Sequence, residues 1–219
     1  MAIGDLLLRI AAWVVGEVML FSARAWTGVR PLWIGLAPRL KQRVYFANHG
    51  SHGDFVMIWA CLPAHQRRAT RPVAGQDYWR ASFLRRFAAS RVFRSLLIDR
   101  HPQPGEPSPV DQMAQVLSDG DSLILFPEGT RNTTDADLLP FRSGLFHLSR
   151  HKPDAEFVPV WIDHIRRVMP KGEVIPVPMV CTVSFGSPLV LDPHEDKESF
   201  LQRAQQSVLS LRPEESISQ

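Results

Sequence analysis

Several common signatures are missing from this chain. It has no Gly-x-Ser-x-Gly elbow, no Walker phosphate loop and no Gly-x-Gly-x-x-Gly fingerprint. A covalent serine mechanism therefore lacks its nucleophile turn, and nothing asks for a nucleotide cofactor. Cysteine is scarce: Cys61 and Cys181 both lie in apolar stretches. They read as buried thiols of a reducing compartment, and neither a disulfide framework nor a cysteine zinc site is expected. Lysine is scarce too, since 21 of the 25 cations are arginine, the side chain that grips phosphate in a fixed two-pronged geometry. Repeats are absent, as is any linker long enough to divide the chain. The 219 residues, 45% of them apolar, predict one folded domain with a sizeable core.

The net charge of +3 conceals a division. Residues 1–100 carry 15 cations and 5 acids, whereas residues 101–219 carry 10 cations and 17 acids. A basic half beside an acidic half fits a chain oriented against a polyanionic surface, either a membrane or a nucleic acid. Residues 3–26 are the most apolar stretch and show no strand alternation. As a helix they are long enough to cross a bilayer. Asp5, Arg9, Glu17 and Arg24 fall within one arc of about 120° on a helical wheel, which fits a helix lying in the membrane interface better than one spanning it. A helix packed on the domain's own core fits the same pattern. A cleaved leader is a third reading, since Ala23-Arg24-Ala25 resembles a cleavage site, although Asp5 and Arg9 break the leader pattern. Residues 26–40 continue apolar and basic, with two tryptophans and two arginines suited to the headgroup level of a bilayer.

From residue 43 the pattern alternates. Apolar runs at 43–47, 71–74, 96–99, 121–126, 157–162 and 178–185 predict strands, and helical patterns at 54–62, 77–93, 109–118, 142–150 and 196–210 separate them. The expected fold is therefore α/β: a single domain with a mostly parallel mixed sheet flanked by helices, preceded by an apolar N-terminal helical pair. Residues 1–42 form the membrane-associating segment in this reading, 43–212 the α/β domain and 213–219 a flexible tail.

Three stretches carry candidate chemistry. In NHGSHGDF (48–55), Ser51-x-x-Asp54 reads as a capping box opening a helix, and His49 lies within folding-back distance of Asp54. A carboxylate beside an imidazole fixes its tautomer and stabilises the imidazolium formed when it accepts a proton. A metal reading would use His49, His52 and Asp54, but a zinc site needs about three converging ligands and no further partner stands at helical spacing; no metal is expected. In SLILFPEGTR (122–131), a buried-type strand ends at Pro127 and displays Glu128, Gly129, Thr130 and Arg131 where α/β sheets gather ligands. A plain surface turn is the alternative. SLLIDR (95–100) is another strand, ending in Asp99-Arg100. Nine arginines between 67 and 100 interleave with Trp79, Phe83, Phe87 and Phe93, which suits a basic amphipathic helix on a membrane, a nucleic-acid face or a solvated helix surface.

Taken together, four blocks in order resemble the glycerolipid acyltransferase family typified by 1-acyl-glycerol-3-phosphate acyltransferases. Asn48-His49-Gly50-Ser51-His52-Gly53-Asp54 is similar to its Asn-His-x-Ser-x-x-Asp. Leu97-Ile98-Asp99-Arg100 resembles its Phe-Ile-x-Arg, Phe126-Pro127-Glu128-Gly129-Thr130-Arg131 its Phe-Pro-Glu-Gly-Thr-Arg, and Val158-Pro159-Val160 the short apolar block that follows. The resemblance implies a membrane O-acyltransferase of phospholipid biosynthesis. His49 would be its general base, oriented by Asp54, with Arg100, Glu128, Gly129, Thr130 and Arg131 as the acceptor-binding set. The acyl donor would be acyl-CoA or acyl carrier protein, with no cofactor. The acceptor would be a lyso-glycerolipid, 1-acyl-sn-glycerol-3-phosphate first and another such as lyso-ornithine lipid second. The resemblance further implies a place on the cytoplasmic side of the membrane, peripheral or monotopic through residues 3–40, with no nucleic-acid partner. A non-catalytic basic lipid- or nucleic-acid-binding module would leave the two specific blocks unexplained.

Overall fold

The runs RVYFA, SLIL and EFVPVWI are apolar at nearly every position rather than at alternate ones, a composition that suits strands covered on both faces. A computed structural model describes residues 3–35, 37, 41–99, 103, 105–163 and 181–213, and these runs form the centre of its sheet. The strands are β1 (Arg30–Trp33), β2 (Arg43–Ala47), β3 (Thr70–Gly75), β4 (Leu96–Ile98), β5 (Ser122–Leu125), β6 (Glu156–Ile162) and β7 (Thr182–Phe185). Their spatial order is β1-β7-β6-β2-β5-β3-β4, and every neighbouring pair is parallel except β6 with β7. The helices are α1 (Ile3–Thr27), α2 (Asp54–Cys61), α3 (Ala64–Arg68), α4 (Gln76–Trp79), α5 (Phe83–Phe87), α6 (Pro109–Ser118), α7 (Gly144–His151) and α8 (Lys197–Leu209).

The alternation of side chains along β2 divides the core into two layers. Val44 and Phe46 point to one face, with Leu123, Leu125 and Phe157, and pack on α6, α7 and α8. Tyr45 and Ala47 point to the other, with Ile124, Val158 and Phe185, and pack on α1, α2 and Phe93. The N-terminus of α6 is a capping box: the Ser108 side chain accepts from the Asp111 amide, and the Asp111 carboxylate accepts from that of Ser108. Its span coincides with the sequence expectation because cap, Pro109 and apolar period all agree.

Two expectations are corrected. The second helix of the N-terminal pair does not form over Arg30–Trp33, which is strand β1. The amides of Arg30 and Ile34 donate to the carbonyls of Cys181 and Phe185 in and before β7. Pro31, lying between these inward-facing amides, turns its missing donor to the open edge, where a proline costs no ladder bond. The predicted single helix over 77–93 is broken into α4, α5 and a widened π turn at Ala88–Val92. Ser82 is extended and its hydroxyl accepts from the Arg85 amide, so the chain starts a new helix there instead of continuing the old one. The strand expected at 178–185 is seen from Thr182; residues 178–180, Arg100 and the tail 214–219 lie outside the described residues.

Helix α1 meets the domain along a narrow stripe of Ala12, Gly16, Leu20 and Ala23. A Cβ on Gly16 would come within 3.3 Å of Val92 Cγ1, so the small residue sets the closeness of approach. Part of the charged arc faces inward: Asp5 pairs with Arg91 at 3.2 Å and Arg24 donates to the Ala60 carbonyl at 2.8 Å. Leu6, Leu7, Trp13, Val14, Val18 and Phe21 are left exposed on the far side. Among the described residues one helix, Gly4–Thr27, is long and apolar enough to cross a membrane, and little of it is buried in the domain.

Both cysteines are buried and free. Burial pushes the Cys61 thiol up to about 12 and raises that of Cys181 as well. The native protein should therefore leave Ellman's reagent unreacted at pH 8, while the chain in guanidinium should release two equivalents, since only exposed thiolate reacts. Rapid release from the native state would show that α2 and the start of β7 open to solvent.

Candidate active site

Parallel strands deliver their C-terminal ends to one edge of a sheet, where backbone polar groups and loop residues meet. Beyond the ends of β2, β3, β4 and β5 lies a cleft of about 340 Å³ whose lining includes His49, His52, Tyr78, Phe126, Thr130 and Arg131.

His49 is held at four points. Its amide donates to Glu128 Oε1 at 2.7 Å, and its carbonyl accepts from the Asn132 amide at 2.6 Å. The ring stacks on Phe126 with centroids 4.2 Å apart, and Nδ1 lies 2.9 Å from Asp54 Oδ2. A carboxylate at Nδ1 requires the proton there, which leaves Nε2 as the basic nitrogen. Asn48, the preceding residue, bonds Ile162 twice, donating to its carbonyl at 3.0 Å and accepting from its amide at 2.8 Å. This side chain continues the pairing of β2 with β6 one residue beyond the strand.

Asp54 is 1% exposed. The same Oδ2 also accepts from the amides of Gly50 at 2.7 Å and Ser51 at 2.9 Å. The capping expectation is thereby corrected: α2 is capped at Gly53 without a side-chain bond, and Ser51 Oγ accepts only from the Gly53 amide at 3.2 Å. The carboxylate folds back over the loop and organises it, and the serine closes a short turn.

The residues after β5 divide between two roles. Glu128 is 3% exposed and stands behind the cleft wall; its second oxygen accepts from the Leu139 amide at 2.9 Å. This carboxylate braces the backbone of His49. Gly129 has φ +71°, and a Cβ there would lie 2.5 Å from Arg142 Nε. Only glycine allows both the backbone conformation and the approach of Arg142, which donates to the Glu128 carbonyl at 3.3 Å. The Gly129 amide is occupied by the Phe126 carbonyl at 3.0 Å. Thr130 and Arg131 are exposed at the rim.

His52 does not converge with His49 and Asp54 as a ligand set would require. Its ring stacks on Tyr78 at 4.2 Å, and among the described residues no group of three or more His, Cys, Asp or Glu is placed to hold a metal ion. Partial burial, followed by the positive field of Arg131, holds the His52 imidazole below its ordinary pKa. Beside it, Arg85 lies 4.3 Å over the Tyr78 ring, and Gln76 bonds the Asp99 carboxylate. The structure thus brings together His49, Asp54, Glu128, Gly129, Thr130 and Arg131, while Arg100 lies outside the described residues. Sequence reasoning assigned nothing to Tyr78 or Arg142.

Residues 36–163 match the model of a protein family described as Acyltransferase. A 1-acyl-sn-glycerol-3-phosphate acyltransferase of Cocos nucifera is 24% identical over 192 residues, covering 87% of this chain and 56% of that protein. One from Limnanthes douglasii is 29% identical over 161 residues, covering 69% and 52%. The chain spans about half the length of these relatives. The crystal structure of the 1-acyl-sn-glycerophosphate acyltransferase PlsC from Thermotoga maritima superposes with a TM-score of 0.68 at 17% identity, over 100% of this chain and 85% of that one. At that identity the likeness shows a common fold.

The bracing role of Glu128 is open to measurement. Glu128→Gln keeps the volume but turns an NH2 group toward one of the two backbone amides, so urea unfolding should show a loss of about 1–3 kcal/mol. An unchanged midpoint would mean that the carboxylate serves a ligand instead of the backbone.

Proposed function

Since the chain belongs to the acyltransferase family, we propose that it transfers a fatty acyl group from acyl-CoA or acyl carrier protein to the free hydroxyl of a lyso-glycerolipid. The acceptor that fits best is 1-acyl-sn-glycerol-3-phosphate, giving phosphatidic acid. The observation that carries the reading is the buried Asp54 carboxylate 2.9 Å from His49 Nδ1, with His49 lining the cleft.

His49 Nε2 accepts the proton of the acceptor hydroxyl as its oxygen attacks the thioester carbonyl. Asp54 holds the ring and stabilises the imidazolium while the tetrahedral oxyanion exists. Collapse of that intermediate forms the ester and breaks the carbon–sulfur bond, and the imidazolium returns its proton to the departing thiolate. No step passes through a metal or a resident cofactor. Arg131 binds the acceptor phosphate with a charge-assisted bond, Thr130 lies beside it, and Arg100 belongs to the same set by its place in the sequence. The outward apolar face of α1 lies in the membrane interface, on the cytoplasmic side, where an insoluble acceptor is within reach.

His49→Ala should lower acyl transfer by about 10²–10⁴-fold while leaving the circular dichroism spectrum unchanged. Products are identified by mass spectrometry over a panel of lyso-lipids, and transfer near the wild-type rate would remove His49 from the chemistry. Arg131→Ala should raise KM for a phosphate-bearing acceptor by about tenfold, consistent with one exposed bond to a charged group, and leave kcat nearly unchanged. An unaltered KM would place phosphate recognition elsewhere.

A further inference from the structure

The break in the predicted helix over 77–93 creates a feature that a continuous helix would not have. Ser82 restarts the chain as α5, and the first two helical residues, Phe83 and Leu84, are 71% and 77% exposed. Two adjacent large apolar side chains are thereby presented to solvent at the tip of a short helix. Arg80, Arg85 and Arg86 surround them in sequence, and between residues 80 and 94 there are five arginines and no acid. The side chains of Arg80 and Arg86 make no hydrogen bond or ion pair among the described residues, so their charge is not spent within the domain.

The position of the tip is equally specific. Helix α4, only three residues upstream of Phe83, supplies Tyr78 and Trp79 to the cleft lining, and Arg85 of α5 covers the Tyr78 ring. Downstream, α5 runs into the π turn on which α1 packs, and Arg91 of that turn pairs with Asp5. The tip therefore sits between the cleft mouth and the base of the outward-facing apolar helix. An apolar pair with cations beside it matches a leaflet with anionic headgroups: the side chains enter the acyl boundary and the guanidinium groups meet lipid phosphates.

We propose that the α5 tip is a second lipid-surface contact, separate from α1. Phe83 and Leu84 insert below the headgroups of an anionic leaflet, and Arg80 and Arg86 bind its phosphates. Its role in seating the cleft mouth against the membrane rests on the acyltransferase reading above; the lipid contact itself does not.

The full chain is tested by flotation with vesicles of phosphatidylcholine, alone or mixed with phosphatidylglycerol. Phe83→Ser with Leu84→Ser should weaken binding to the mixed vesicles at least about tenfold, from the apolar area no longer buried. Arg80→Gln with Arg86→Gln should abolish the preference for anionic vesicles and flatten the salt dependence. Urea midpoints should not move in either variant, because these side chains are solvent-exposed. Leu84→Trp should show a blue-shifted emission on adding mixed vesicles and quenching by brominated lipid. Wild-type binding by the serine variant, or an unshifted tryptophan, would overturn the proposal. Loss of single-stranded DNA binding with vesicle binding retained would overturn it too. Acyl transfer to a water-soluble short-chain acceptor should be unchanged in the serine variant and transfer to a vesicle-embedded acceptor reduced. The flotation and fluorescence results hold whether or not any acyl transfer is detected, which separates failure of this contact from failure of the enzymatic reading.

Discussion

A carboxylate that is almost wholly removed from water is expensive unless donors surround it. Asp54 answers that demand at one oxygen, which receives two backbone amides and an imidazole nitrogen, while its Oδ1 is buried without a hydrogen-bond partner among the described residues. The same bonds do three things at once. They fold residues 49–53 into a loop, start α2 without a side-chain cap and fix the orientation of His49. Much of the site follows from this arrangement, because the ring that Asp54 orients is also the ring that Phe126 covers.

A second buried carboxylate completes the support from the other side. Glu128 is 79 residues from His49 in sequence, yet it accepts from the His49 amide. The two meet because β2 and β5 are adjacent parallel strands in register, with Phe46 opposite Leu125, so the residues that follow each strand emerge side by side. One carboxylate holds the ring and the other the backbone. Preorganisation of this kind would let His49 serve as the proposed general base without reorganising at the moment of reaction.

The N-terminal region shows how polarity can be inverted. Asp5 and Arg24 reach toward the domain and find partners there, while the apolar residues of α1 face outward. On a soluble helix the arrangement would be the reverse. The chain's arginine excess over residues 1–100 is likewise divided by the fold: Arg43, Arg71 and Arg94 are taken up by Glu156 and Asp121, whereas Arg80 and Arg86 remain at the surface. Glu156 shows the strength of that uptake. Burial alone would raise its pKa, but hydrogen bonds from Lys41 and Arg43 hold the carboxyl below its ordinary value.

By itself the sequence determined what depends on neighbours close along the chain. The apolar runs of β2, β5 and β6, the capped span of α6 and the reach of Asp54 back to His49 are all readable from residues a few positions apart, because period, cap and turn chemistry are local. Only the tertiary structure decided what depends on distant segments. Arg30–Trp33 is a strand because β7, about 150 residues later, offers it an edge; Glu128 is a brace because β5 lies beside β2; and Phe83 and Leu84 are exposed because Ser82 breaks the helix and none of the described elements covers its tip. None of these leaves a mark in the local pattern, since an apolar run reads alike whether its partner is a strand, a core or a lipid, and a glutamate reads alike whether it faces a ligand or a backbone amide.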